Sequence, residues 1–334
     1  MARCTERRQK QKCNKKKLSI DKVMMNESRE YFKRFKNDVT REAYEKNYKR
    51  YIDYCRKHHN SKSKEDCSKF IQEYADYLKE QGKTASTIHT YIAPICSFHG
   101  ISMSEITKPI RRVSENIRSR ERANKYQHTQ QRYNNPKYSY VAEFQKHTGI
   151  RRSELMRLCM DDLVHDEMGY AIRVKRGKGG RFHKQRLNFP EDIEFVKQYF
   201  NKPNSTERLF KKEDFSPKMD YHHLRGLFAQ KNYNFYYGLL HTGNEELDQK
   251  NRQKLIGDLL ATWNKYNLNP KTGIPRPFPF KNTKGGYRLR GATKKKAIED
   301  GFDIEFDRLA LFATNVFCLA HWRLSASNNY LLAK

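Results

Sequence analysis

Tyr44, Tyr48, Tyr51, Ile52 and Cys55 recur at i, i+4, i+7 and i+8, the spacing of one face of an α-helix. That stripe commits the N-terminal half to helices whose large aromatic side chains must be buried together. Thr40 stands where an N-cap would open this helix. A second helix is expected from Ser63, with Asp66 at the capping-box position, through Phe70, Ile71, Tyr74 and Leu78 to a stop near Gly82. A third starts at Thr84 or Ser86, carries Ile88, Tyr91, Ile92 and Ile95, and ends at Gly100, with Pro94 expected to kink or shorten it. The tyrosines in these stripes read as packing residues rather than reactive ones.

The polar faces between the stripes are crowded with Lys and Arg. Across 334 residues, 68 Lys+Arg against 38 Asp+Glu leave a formal charge of +30. Residues 1–17 hold eight cations and one acid, Glu6, so +7 belongs to this tail and +23 to the remainder. A solubilising or address tail would be simply solvated; with the rest so basic, an arm laid on phosphates is the favoured reading. The implied partner is a polyanion, above all nucleic acid. No apolar run approaches the roughly 18 residues of a membrane span, and the N-terminus lacks a signal peptide's apolar core. The seven cysteines are scattered and never spaced C-x-x-C. Neither a disulfide framework nor a metal site is expected, and a reducing cytoplasm suits the chain.

Hydrophobicity drops and charge rises over 107–132, read as an interdomain linker followed by the first helix of a second domain. The expected organisation is a basic arm over 1–19, a helical domain over 20–112 and a second domain over 113–334. The second domain holds the sharper signals. In His147-Thr148-Gly149-Ile150-Arg151-Arg152-Ser153-Glu154-Leu155, a helix from about Tyr138 ends at Gly149 and another begins beyond it. Arg151 then sits at a helix start, where N–H groups favour an anion, or is an ordinary surface arginine at a helical corner. Tyr170–Lys175 alternates as a strand, Arg176-Gly177-Lys178-Gly179-Gly180-Arg181 makes a glycine-rich turn, and 182–189 returns. This cation-tipped hairpin lacks the P-loop pattern. In Tyr221-His222-His223-Leu224-Arg225, His222 and Arg225 are three apart and share a helical face, while His223 and Arg225 do not. Finally, Leu319-Ala320-His321-Trp322-Arg323 is followed by Tyr330, nine residues after His321.

In this order, T-G-I-R-R-S-E-L, G-K-G-G, H-x-L-R, and L-A-H-W-R with its trailing tyrosine, the chain resembles the tyrosine recombinases (integrases) of bacterial mobile elements. The resemblance is strongest over 148–187, 221–228 and 309–332; the N-terminal helices resemble the family's core-DNA-binding domain. It implies a mainly α fold with a small β-hairpin or sheet (α+β), in which a helical core-DNA-binding domain precedes a mixed α/β catalytic domain. It also implies that Arg151 and Arg225 clamp the scissile phosphate, which suits a planar, permanently charged guanidinium. Tyr330 would be the nucleophile, leaving a 3′-phosphotyrosyl enzyme and a free 5′-hydroxyl. Lys178 would protonate the departing oxygen, ahead of its rivals Lys175, Arg181 and Lys184. His222 would act as general acid/base, and His321 would donate a hydrogen bond to the phosphate. Glu154 would brace the helix start. Arg111, Arg112, Arg176, Arg181 and Lys184 are the expected further DNA contacts. The resemblance implies neither metal nor cofactor, a homo-tetramer on double-stranded recombination sites, accessory DNA-bending or directionality proteins, and a nucleoid location without membrane attachment.

The chain departs from that pattern in three places. Ninety-five residues separate Arg225 from His321, where the commonest members have a pair of short helices; an insertion is expected at about 235–305, with a helix over 246–263. Ala320 stands where the family usually has glycine. Only four residues follow Tyr330, so the usual exchange of a tail helix between subunits is not expected to apply unchanged. A type IB topoisomerase, a telomere resolvase or a catalytically inactive DNA-binding relative would share parts of this pattern.

Overall fold

The computed structural model describes residues 20–61, 63–111, 135–202, 205–216, 219–269, 271–325 and 330. The basic arm, Arg112 and the segment 113–134 lie outside the described residues. The chain divides into two compact units, Met1–Asn116 and Ile117–Lys334.

The first unit is helical: α1 (Ile20–Phe32), α2 (Asp38–His59), α3 (Lys64–Ser68), α4 (Ile71–Glu80) and α5 (Ala85–His99). Tyr48, Tyr51, Ile52 and Cys55 are buried along one face of α2, where they meet Phe32, Ile71, Ile88, Ile92 and Ile95. The cap differs from expectation. Asn37, not Thr40, opens α2, its side chain accepting the Thr40 N–H. Ser63 caps α3 as expected, accepting the Asp66 N–H at 3.1 Å, but the helix breaks after one turn and resumes as α4.

Pro94 neither ends nor shortens α5, which runs on to a Gly100 cap in the left-handed region (φ 71°). A proline cannot bond the carbonyl four residues back, here that of Thr90. The buried Asn47 of α2 donates its side-chain N–H to that carbonyl at 3.3 Å, so the orphaned acceptor is satisfied from a neighbouring helix.

The second unit opens with α6 (Pro136–Thr148), started by proline and ended by Gly149 at φ 60°. One turn, α7 (Arg152–Leu155), leads into an antiparallel sheet of β1 (Leu163–Asp166), β2 (Gly169–Val174) and β3 (His183–Arg186), in that order. The β2–β3 hairpin pairs Val174 with His183 and carries a tight turn at Lys178–Gly180; β1 adds a strand not anticipated. After α8 (Pro190–Lys197) come the long helices α9 (Tyr221–Leu240) and α10 (Glu245–Tyr266). A two-stranded ribbon of β4 (Gly286–Arg288) and β5 (Glu305–Asp307) flanks α11 (Gly291–Glu299). The last helix, α12 (Arg308–Ala313), widens into a π-helical turn over Thr314–Cys318.

The expected insertion is not an appendage. Its first residues are the end of α9, and Leu255, Leu259, Trp263, Leu289, Ala297 and Phe306 share one apolar core with Phe228 of α9 and Phe312 of α12. Burying a side chain such as Leu259, fully enclosed here, contributes roughly 1.5–3 kcal/mol, so this segment is part of what holds the unit together. Among the described residues no helix is long and apolar enough to cross a membrane.

Candidate active site

Gly149, Ile150 and Arg151 make the corner between α6 and α7. The buried Ile150 anchors it, and Gly149 is constrained twice, by its left-handed φ and by Phe228, whose ring occupies the space a Cβ would need. Arg151 follows with its guanidinium directed inward. Its Nη1 donates to Glu154 Oε1 at 2.7 Å, and its Nη2 donates to the Leu319 carbonyl at 3.1 Å. Glu154 is almost wholly buried and returns a second bond, accepting the Arg151 backbone N–H at 3.3 Å. Burial would push this carboxyl up. Arg151, His183 and Arg225 outweigh that and hold it below the usual carboxylate range. The helix start expected to attract an anion is only the single turn α7, so the positive charge here belongs to side chains, not to a helix dipole.

Arg225 lies on the second turn of α9, whose start is capped by Asp220. It is buried, with Nη1 on the Gly149 carbonyl, Nη2 on the Leu319 carbonyl and Nε 3.4 Å from the Tyr330 hydroxyl. One backbone carbonyl, that of Leu319, therefore receives an N–H from both arginines. Side-chain patterns in the sequence carry no sign of that hub, nor of Gly149's carbonyl.

The hub is set by the chain reversal after α12. The His321 N–H bonds back to the Asn315 carbonyl at 2.8 Å, closing the end of the π-helical turn. Ala320 between them has φ 47°, the left-handed region that glycine favours. The reversal aims the His321 ring into the site. Its Nε2 lies 3.1 Å from Arg151 Nη2 and 3.2 Å from the Tyr330 hydroxyl. Burial first, then the charges of Arg225, Arg151, Lys178 and Arg323, push His321 down to about 2, so the imidazole is neutral at physiological pH. A guanidinium N–H can only donate, so Nε2 accepts here and the ring proton sits on Nδ1. The donor role expected of His321 therefore requires the other tautomer, with Arg151 turned away.

Tyr330 is 7% exposed and closes the cluster. Its ring lies 4.8 Å from the ring of His222 and 5.4 Å from the guanidinium carbon of Arg225. The structure thus brings Arg151, Arg225, His222, His321 and Tyr330 of one chain together.

The hairpin supplies the remaining cation. Three lysines lie along it, and the structure separates them. Lys175 is paired with Asp161 at 2.9 Å and Asp162 at 3.2 Å. Lys184, expected as a DNA contact, is instead bound to Asp166 at 2.6 Å beside Arg186. Lys178 is exposed, and among the described residues it is the one of the three with no carboxylate on its ammonium. Its backbone N–H donates to Glu154 Oε1 at 3.2 Å, so the carboxylate that holds Arg151 also holds the base of this turn. His183, unnoticed in the sequence, fills the hairpin from within: it is 5% exposed, and burial pushes it down to about 4. A Cβ on Gly177 would stand 2.7 Å from its ring. Arg176 and Arg181 are exposed on the turn, and Arg111 is exposed in the first unit.

Among the described residues, Cys159, Asp161 and Asp162 are grouped closely enough to hold a metal ion. Arg173 and Lys175 already occupy both carboxylates, which makes the group an ion-pair network under the sheet.

The charge at the centre does not balance. Among the described residues, two guanidiniums face one carboxylate, and the deeper arginine is bonded to neutral oxygens. An under-compensated buried cation costs stability, and such costs concentrate where a ligand supplies the missing charge.

No family model matches the chain, and no curated protein matches it. Among solved structures it is similar to one described as the crystal structure of XerA recombinase, with 15% identity and a TM-score of 0.23 over 69% of this chain and 89% of that one. A superposition that loose transfers no role to any residue.

Proposed function

We propose that this chain is a site-specific DNA recombinase that cleaves and rejoins DNA through a phosphotyrosine. The observation that carries the reading is the meeting of Arg151, Arg225, His321 and Tyr330 around one under-compensated positive centre. A phosphodiester monoanion supplies the charge that centre lacks. The two guanidiniums would exchange their bonds to the Leu319 and Gly149 carbonyls for the non-bridging oxygens, which gain charge as phosphorus becomes pentacoordinate. Tyr330 Oη then attacks. The new bond joins phosphorus to the phenolic oxygen, the bond to O5′ breaks, and Lys178 passes a proton from Nζ to O5′. His222, beside the tyrosine, takes the phenolic proton. The phosphodiester energy stays in the phosphotyrosine, so rejoining is the reverse attack by a 5′-hydroxyl.

The exposed cations of the hairpin turn and of the first unit would hold the flanking backbone. Exchange between two duplexes calls for a homo-tetramer with accessory DNA-bending proteins, on the nucleoid of the element's host. A pool of nicked duplexes with random sequence at the nick tests the activity. Loss of the short strand traps the cleaved state, so protein–DNA adducts that survive denaturant are expected, and sequencing them gives the target site. A pool that leaves no adduct contradicts the proposal.

A further inference from the structure

Helix α10 belongs to the stretch that the family resemblance leaves unexplained, yet its last turn touches both sides of the site. On one side, the Tyr266 ring lies 5.5 Å from the ring of Phe182, tilted by 34°. Phe182 directly follows the cationic turn and precedes His183, the first residue of β3 to pair with β2. On the other side, the buried Trp263 meets Trp322 edge to face, with ring centroids 5.4 Å apart. Trp322 is the neighbour of His321.

Trp263 is itself locked. Its indole N–H donates to the Arg276 carbonyl at 2.7 Å, and the rings of Phe278 and Phe312 each lie 5.7 Å away. Tyr266, three residues on, lies on the same helical face and inherits that fixed position. The hairpin tip needs such a hold. Lys178 and Phe182 (38% exposed) lie on the outside of the turn, where the inner contacts of His183 and Glu154 do not reach the Phe182 ring.

We propose that the last turn of α10 is a brace between the Lys178 hairpin and the His321 segment, in which Tyr266 positions Lys178 through Phe182. The inference rests on Lys178 being the group that protonates O5′. Tyr266 is a positioning residue: it acts on the height and tilt of the hairpin. A displacement of the acid by 1 Å is enough to slow a proton transfer severely.

The test uses the full-length protein and the duplex recovered from the random pool, made with oxygen or with sulfur at the 5′-bridging position. A thiolate leaves without a proton, because a thiol is far more acidic than an alcohol. Tyr266→Ala should slow covalent-complex formation on the oxygen duplex by about ten- to a hundredfold, keep DNA affinity within about twofold, and recover to within about threefold of wild type on the sulfur duplex. Tyr266→Phe retains the ring and should react like wild type. Equal slowing on both duplexes, or no slowing on the oxygen duplex, overturns the brace. Lys178→Ala is run beside it. Its failure to recover on sulfur would remove the acid assignment, and the brace with it, whereas recovery of Lys178→Ala alone would reject the brace and leave the acid standing.

Discussion

Arg225 donates to two backbone carbonyls and approaches the phenol of Tyr330, all from a buried position, and no other side chain could do so. Lysine keeps the charge but loses the planar fork. Arg225→Lys and Arg151→Lys should therefore hold DNA affinity within several-fold while cleavage falls by at least about a thousandfold. Binding isotherms and single-turnover cleavage measured on the same duplex check this, and parallel losses in both would mark the arginines as plain phosphate anchors. Ala320 offers a stability test of the same corner. Its left-handed backbone costs alanine about 1–2 kcal/mol, part of which glycine returns as chain entropy in the unfolded state. Ala320→Gly should stabilise the protein by about 0.5–1 kcal/mol in urea unfolding, and a destabilised variant would contradict the strain. The side chains of the site were legible at this scale, because arginine, histidine and tyrosine at fixed spacings leave a pattern. The carbonyls of Leu319 and Gly149 were not, since a backbone oxygen looks the same at every position.

Helix α5 shows how an element survives a residue that should break it. Pro94 leaves the Thr90 carbonyl without its helical partner, and Asn47 of α2 supplies the missing donor. Asn47→Ala should cost about 1–3 kcal/mol, the penalty of an unsatisfied buried acceptor, and the loss should shrink when Pro94→Ala restores the helical bond. Thermal unfolding of the two single variants and the double variant measures that coupling; additive losses would mean the bond contributes nothing. Periodicity made the helices of the first unit readable, but not where they start and break. Asn37 rather than Thr40 caps α2, and the break between α3 and α4 has no proline or glycine to announce it. In the second unit β2 was readable by alternation and β3 as its return across the glycine turn, whereas β1, Leu163-Val164-His165-Asp166, has no alternation and no such turn signal to declare it. Helix α10 was visible as a helix, but its membership in the core was not, because which faces meet is decided by tertiary packing.

Across the second unit the buried histidines His183 and His321 and the buried Glu154 bias stability in one direction. His183 is pushed down to about 4 and His321 to about 2, burial leading in both cases, so both take up protons only on unfolding as pH falls below the ordinary histidine value of about 6.5. Glu154 adds to this at lower pH. Its depressed carboxyl contributes stability above the ordinary carboxylate value, and loses it as pH falls through the folded one. Unfolding free energy should therefore rise steadily from pH 4.5 to 7, on the order of 2 kcal/mol per pH unit near pH 5. Urea titrations across that range check it, and a flat profile would show that the two histidines are not buried as neutral rings.

The central claim is that Tyr330, set between His321, His222 and Arg225, forms the covalent bond to DNA. Tyr330→Phe removes one oxygen and little volume, so folding and DNA binding should survive. Peptide mass spectrometry of the nuclease-trimmed adduct tests the claim most directly. The predicted result is a phosphonucleotide on Tyr330 and no adduct at all from Tyr330→Phe. An adduct on any of the other twenty tyrosines, or efficient trapping by the phenylalanine variant, would contradict it.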